Sequence, residues 1–214
     1  MVLDSQRQNV DPLLNKIARP FLTINPDVLS VLALISSLVG GIALFLSHSE
    51  QVTTHLYLLV ASIFVLLNGL FDAIDGKVAK LTNKASKRGD FLDHAFDRFA
   101  DVFIVGGLAL SSWTRLDIGL IALSAMLLTS YMGTQAQAVG AKRNYGGLMG
   151  RADRLILLTI FPVLQYLQTL YPQYQLPYQI SVLDLLLLIL AFVGTLTVIQ
   201  RFIQTLRWFK DNET

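Results

Sequence analysis

Six apolar runs, at 28–46, 56–71, 102–113, 118–133, 155–171 and 180–199, dominate this chain and restrict what it can become. With flanking helix included, each approaches the roughly 20 residues that cross a hydrocarbon layer about 30 Å thick. Only 15% of the 214 residues are charged, 53% are hydrophobic, and the mean hydropathy is +0.54. A soluble domain carries about 25% charged residues, so the class is membrane protein. The expected fold is an all-α polytopic bundle forming one domain over 1–214. Its six transmembrane helices are placed at about 28–47, 55–80, 90–112, 117–138, 153–171 and 180–206. No cysteine is present, which excludes disulfides and thiolate metal ligands.

Ahead of the first run, Leu13, Leu14, Ile17, Ala18 and Phe21 recur at helical spacing. They predict an amphipathic juxtamembrane helix over 8–22, with Pro12 suited to its first turn and Pro20 ending it. Lys16 and Arg19 on its polar side favour a position along the inner membrane surface over an ordinary packed helix. The first 27 residues are polar and show no secretory signal peptide.

Charge sets the expected orientation. The net charge of +2 is unevenly spread. Arg7, Lys16 and Arg19 precede the first span, and Lys77, Lys80, Lys84, Lys87, Arg88 and Arg98 surround the second connection. Lys142, Arg143, Arg151 and Arg154 lie at the fourth connection, and Arg201, Arg207 and Lys210 near the C-terminus. The alternate connections hold Arg115 alone. The positive-inside rule then places both termini and the second and fourth connections in the cytoplasm, in a cell membrane. The tyrosine-containing loop 171–179 is expected to form an outer aromatic belt, with Trp208 and Phe209 as its inner counterpart.

Inside this apolar background stand Asp72 and Asp75, three residues apart, and Asp93 and Asp97, four apart, so each pair shares a helix face. Four carboxylates at membrane depth cost about 10 kcal/mol on insertion scales unless something compensates them. A divalent cation is the usual compensation, because hard ions such as magnesium take carboxylate oxygens. Asp90 and Asp101 extend the acidic stripe and have salt bridges with Arg98 and nearby lysines as an alternative use. Gly76 and Gly89 remove side chains beside the carboxylates, either for close helix contact or for ligand approach.

The run Asp72-x-x-Asp75-Gly76-x-x-Ala79-Lys80, eight residues, then Gly89-x-x-x-Asp93-x-x-x-Asp97 resembles the signature of the CDP-alcohol phosphatidyltransferases. One position departs: Lys80 stands where that family usually has arginine, which keeps the charge but loses bidentate phosphate geometry. The resemblance implies transfer of a phosphatidyl or archaetidyl group from a CDP-activated lipid to an alcohol, with release of CMP. It implies Asp72, Asp75, Asp93 and Asp97 as ligands of Mg2+ or Mn2+, with Asp97 as general base. It further implies a CDP-lipid site made by Asp72, Asp75, Gly76, Ala79, Lys80 and Gly89, and a homodimer in the membrane. Nucleic acid is not an expected partner.

A second basic group, Arg151, Arg154 and Arg201, is expected to hold an acceptor phosphate. Residues 130–156 resemble family members that make phosphatidylinositol phosphate, yet Gly133, Thr134 and Gln135 stand where those carry lysine and arginine. Inositol phosphate, glycerol phosphate and an unphosphorylated alcohol all stay open as acceptors. An aromatic prenyltransferase would need a second Asp-rich motif, and beyond Asp117 only Asp153, Asp184 and Asp211 occur. A divalent-metal transporter would need carboxylates at the bilayer midplane, not at helix ends amid basic residues.

Overall fold

The structure, a computed structural model, describes residues 7–142, 144, 146–171 and 180–212. Among these residues seven α-helices follow one another: α1 (Arg7–Ala18), α2 (Pro26–Leu46), α3 (Leu56–Leu81), α4 (Lys87–Ala109), α5 (Leu116–Ala138), α6 (Arg151–Leu170) and α7 (Val182–Asn212). Among the described residues there is no strand. Local chemistry explains the helix starts. Asn25 caps α2 by accepting from Asp27 N at 3.1 Å, with Pro26 in the first turn. Ser86 caps α4 by accepting from Gly89 N at 3.1 Å. Between α3 and α4 the chain reverses in a few residues, with Asn83 at a φ of 56°.

Neighbour relations close a ring. α2 packs on α3 and α4, α3 on α6, α6 on α7, α7 on α5, and α5 back on α4. The core filling this ring includes Leu44, Leu58, Val65, Ile104, Leu108, Met126, Leu158, Leu186 and Leu190. Its outer surface is apolar as well: Ile35, Ile42, Ile63, Leu66, Ile121, Leu128, Ile160 and Phe192 are all exposed. Large aliphatic side chains pointing outward all round a bundle are those of a protein solvated by lipid.

Among the described residues, four helices are long and apolar enough to cross a membrane: α2, α3 with the short turn before it, α5 and α7. The expectation of six spans is thus met in part. The first half of α4 carries Lys87, Arg88, Asp90, Asp93, Asp97 and Arg98, and α6 opens with Arg151, Asp153 and Arg154 and contains Pro162. Those charges are what lower the apolar character of the two remaining helices. α1 docks on α3 through Ala18, which is fully buried against Leu29, Ile74 and Val78. Lys77 of α3 reaches Asp11 of α1 at 3.0 Å. Packing and an outward apolar side therefore coexist in α1, since Leu13 is 60% exposed. Most of the expected outer aromatic belt, 172–179, lies outside the described residues, as do Arg143 and Tyr145. Trp208 and Phe209 meet edge to face at 5.2 Å near the end of α7.

The α2–α4 crossing depends on two glycines. A Cβ at Gly41 would sit 2.1 Å from the Phe103 carbonyl oxygen, and one at Gly107 would sit 2.1 Å from the Gly41 carbonyl oxygen. Small residues permit such backbone contact in membrane bundles. Forcing a methyl group between the helices would cost about 1–3 kcal/mol by overpacking. We therefore expect Gly41→Ala and Gly107→Ala to lower the thermal midpoint of the detergent-solubilised protein. Gly106→Ala should leave it unchanged, because nothing lies within 4 Å of a Cβ there.

Candidate active site

Alternating chain direction brings the N-terminal ends of α2, α4 and α6 together with the C-terminal ends of α3, α5 and α7. There a small cavity, about 10 Å³, is lined by Ser30 and Ala33 of α2, Asn68, Asp72 and Asp75 of α3, Asp93 and Asp97 of α4, and Arg151 of α6. All four motif carboxylates thus face one space from two helices. Asp75 and Asp97 are buried, whereas Asp72 and Asp93 are half-buried towards the open end. Ser30 Oγ donates to Asp75 Oδ2 at 2.5 Å, fixing one carboxylate from the neighbouring helix.

Arg151 compensates part of this charge. Its Nη1 lies 2.5 Å from Asp72 Oδ2 and its Nη2 lies 2.9 Å from Asp97 Oδ1, so one guanidinium joins α6 to both α3 and α4. Sequence reasoning assigned Arg151 to an acceptor phosphate and gave it no link to the carboxylates. Asp93, His94 and Asp97 present ligand atoms within 4.8 Å of one another. His94 also lies 3.3 Å from Asp90 and 3.3 Å from Asp93. That histidine went unremarked in the sequence, although its place between two motif aspartates was the available signal.

The donor set fits a hard divalent cation. It consists of carboxylate oxygens in a water-sized recess, with a buried amide oxygen, Asn68 Oδ1, that has no hydrogen-bond partner. Glycine positions add room. A Cβ at Gly76 would meet nothing within 4 Å, so this glycine opens space beside Asp75 and takes no part in helix contact. Ala79 is half-buried and Lys80 exposed in the last turn of α3, on the approach to the same end of the bundle. Gly89 sits beside the Ser86 cap, where a Cβ would lie 3.4 Å from the Ser86 hydroxyl.

Behind the cavity is a second charged layer. Asp101, at 3% exposure, lies 3.1 Å from Arg98 Nη1 and 3.5 Å from Arg154 Nη2. Arg98 also donates to Ser130 Oγ on α5 and lies 3.7 Å from Asp97. Arg154 is 5% exposed and reaches the Met126 carbonyl at 3.4 Å. Of the two outlying acids, Asp101 therefore has its salt bridge with Arg98, whereas Asp90 faces His94. Arg201, 6% exposed within α7, donates from Nε to Gly146 O at 2.8 Å and from Nη1 to Thr129 O at 2.5 Å. Gly147, at a φ of 121°, lets this loop press against Thr197, which a Cβ would approach to 2.3 Å. Gly133, one of the three positions at which the sequence departs from the inositol-type pattern, has Asn144 O and Arg201 Nη1 within 3.0 Å of its Cβ position. A side chain there would displace both.

The family sequence model described as CDP-alcohol phosphatidyltransferase matches residues 23–197. The chain belongs to that family. It is accordingly a multi-pass membrane transferase of phospholipid biosynthesis. An archaetidylinositol phosphate synthase of Methanothermobacter thermautotrophicus is 30% identical over 199 residues, covering 92% of this chain and 88% of the relative. Another from Pyrococcus horikoshii is 28% identical over 161 residues, covering 74% and 81%. Phosphatidylinositol phosphate synthase of Mycobacterium tuberculosis shares the fold. Its structure with CDP-DAG bound superposes with a TM-score of 0.68 at 24% identity, covering 91% of this chain and 94% of that one. Its complex with manganese and citrate gives 0.69 at 24% identity, covering 90% and 88%.

The burial of Arg154 against Asp101 generates a test. Removing one partner of a buried ion pair costs about 3–5 kcal/mol, because the other charge is left uncompensated. Arg154→Met should lower thermal stability strongly, and Arg154→Met with Asp101→Leu should recover much of the loss. A rise in acceptor KM without loss of stability in Arg154→Met would instead make Arg154 an acceptor ligand.

Proposed function

We propose that this enzyme transfers a phosphatidyl or archaetidyl group from a CDP-activated lipid to a polyol phosphate, releasing CMP. The observation that carries the reading is the convergence of Asp72, Asp75, Asp93 and Asp97 on one cavity from two helices. In this reading the bundle has six spans in one domain, α4 and α6 among them, and both termini and the site face the cytoplasm. The basic residues clustered at the site end of the helices support that orientation.

Asp72, Asp75, Asp93 and Asp97 would hold divalent cations, Mg2+ or Mn2+. Bound there, such ions neutralise the donor's diphosphate and the charge developing on CMP. The acceptor hydroxyl oxygen attacks the lipid-side phosphorus. The bond from that phosphorus to the bridging oxygen breaks, and CMP leaves with the electron pair. Asp97 takes the hydroxyl proton as general base. Space beside Gly76 and Ala79 admits the nucleotide, and Lys80 adds a cation on the diphosphate side.

Arg151 supports a phosphorylated acceptor. A guanidinium offers five N–H groups in a fixed fork, and Nε of Arg151 is buried without a hydrogen bond. An anion taken by this side chain lies beside Asp97, so an adjacent hydroxyl comes within reach of the base. Arg201 would complete the acceptor pocket from α7. Relatives named archaetidylinositol phosphate synthase favour inositol phosphate over glycerol phosphate.

Two sets of variants test the reading. Asp72→Asn, Asp75→Asn and Asp93→Asn should each abolish turnover, as should a chelator. Asp97→Asn should keep CDP-lipid affinity but lose turnover by about 100-fold or more, within the range of general-base contributions. Normal turnover in chelator would contradict the metal assignment, and equal loss of CDP-lipid binding in Asp97→Asn would make Asp97 a ligand only. Arg151→Gln and Arg201→Gln should raise acceptor KM by about one to two decades, since a charged hydrogen bond contributes roughly 1.5–3 kcal/mol. An unchanged KM would point to an unphosphorylated alcohol.

A further inference from the structure

Asn68 lies on α3 one turn before Asp72 and two before Asp75, inside an otherwise apolar stretch. Its residue exposure is 1%. The amide nitrogen donates to Ala33 O of α2 at 2.9 Å. A carbonyl oxygen only accepts, so this bond fixes which end of the amide faces α2 and turns Oδ1 the other way. Oδ1 has no hydrogen-bond partner among the described residues, and Asn68 lines the cavity that holds the four carboxylates. A buried acceptor left unmade is unfavourable, and a leucine would fill the same space without that penalty. The tether to Ala33 accounts for the amide nitrogen and leaves the oxygen without a use in helix packing.

We propose that Asn68 Oδ1 is a further oxygen donor to the divalent cation held by the motif carboxylates. This rests on the metal reading given under Proposed function. Hard cations take amide carbonyl oxygens as well as carboxylates among their ligands. A neutral donor also raises the ligand count without adding repulsion to four acids already crowded together. The cavity, about 10 Å³, accommodates a single small occupant among these oxygens. Ala33 acts as the orienting partner, in the way that outer groups fix the direction of metal ligands.

The competing use is mechanical: Asn68 ties α2 to α3 through Ala33 and does nothing else. Substitutions separate the two. Aspartate keeps an oxygen facing the cavity but cannot donate to Ala33 O when ionised. Leucine and alanine lose both the oxygen and the tether, one preserving bulk and the other adding none.

Mn2+ titration of the purified protein in lipid nanodiscs, read by electron paramagnetic resonance of the free ion, is the experiment. Asn68→Leu and Asn68→Ala should raise the Mn2+ Kd tenfold or more, in line with the losses seen when a metal site's supporting oxygens are removed. Asn68→Asp should bind Mn2+ at least as tightly as the parent. Parental affinity in both apolar variants would overturn the proposal, and so would a loss in Asn68→Asp equal to theirs, which assigns the residue to the tether. The same titration on the parent and on Asp72→Asn tests the underlying reading separately. A parent that binds no Mn2+, or an Asp72→Asn variant that binds it normally, would defeat the metal site itself and Asn68's part in it.

Discussion

Four carboxylates facing one small cavity repel one another, and much of the surrounding structure acts to hold them there. Asp72 and Asp75 come from the C-terminal part of α3, and Asp93 and Asp97 from the start of α4. A short reversal at 82–86 keeps these two segments at the same end of the bundle. Ser30 of α2 fixes Asp75, and the Arg151 guanidinium spans Asp72 and Asp97. The Arg98–Asp101–Arg154 layer behind them neutralises further charge and ties α4 to α6. In a low-dielectric bundle each of these links counts for more than it would in water.

That arrangement requires helices that do not move apart. α2 is the element against which both carboxylate-bearing helices pack, and its contact with α4 is close enough for backbone to touch backbone at Gly41 and Gly107. The ring order of the helices then brings α6 and α7 to the same end. Arg151 and Arg201 arrive there from positions far apart in sequence. The chemistry proposed for the site needs both sides: acids to hold cations and take a proton, and guanidinium groups to place a phosphorylated acceptor beside Asp97.

Sequence made the carboxylate cluster legible because polar residues are rare in such surroundings and their spacing selects one helix face. The helices were legible for a related reason, since the long apolar runs mark where they lie. The expectation of six spans meets a compositional obstacle at α4 and α6. The charges in the first turns of α4 and α6 lower their apolar character, leaving four helices among the described residues that qualify by composition. The contacts of Arg151 with Asp72 and Asp97 were not legible, because pairing across 79 residues depends on how helices are ordered around the ring. Ser30 and Asn68 did leave a trace as polar residues within apolar runs. Nothing local distinguishes them from Ser36 or Ser62, whose hydroxyls bond to their own helix backbones.

On the proposed reading, the carboxylate site performs metal-dependent group transfer from a CDP-lipid. The most direct test of that reading is to incubate the purified protein in lipid nanodiscs with a CDP-lipid, Mn2+ and separate polyols and polyol phosphates, and to measure CMP and lipid products by mass. Equal amounts of CMP and of one new phospholipid are expected, its mass that of the CDP-lipid plus the polyol phosphate minus CMP, with both abolished by chelator. No CMP with any acceptor, alongside Mn2+ flux across proteoliposomes carrying the same protein, would contradict it.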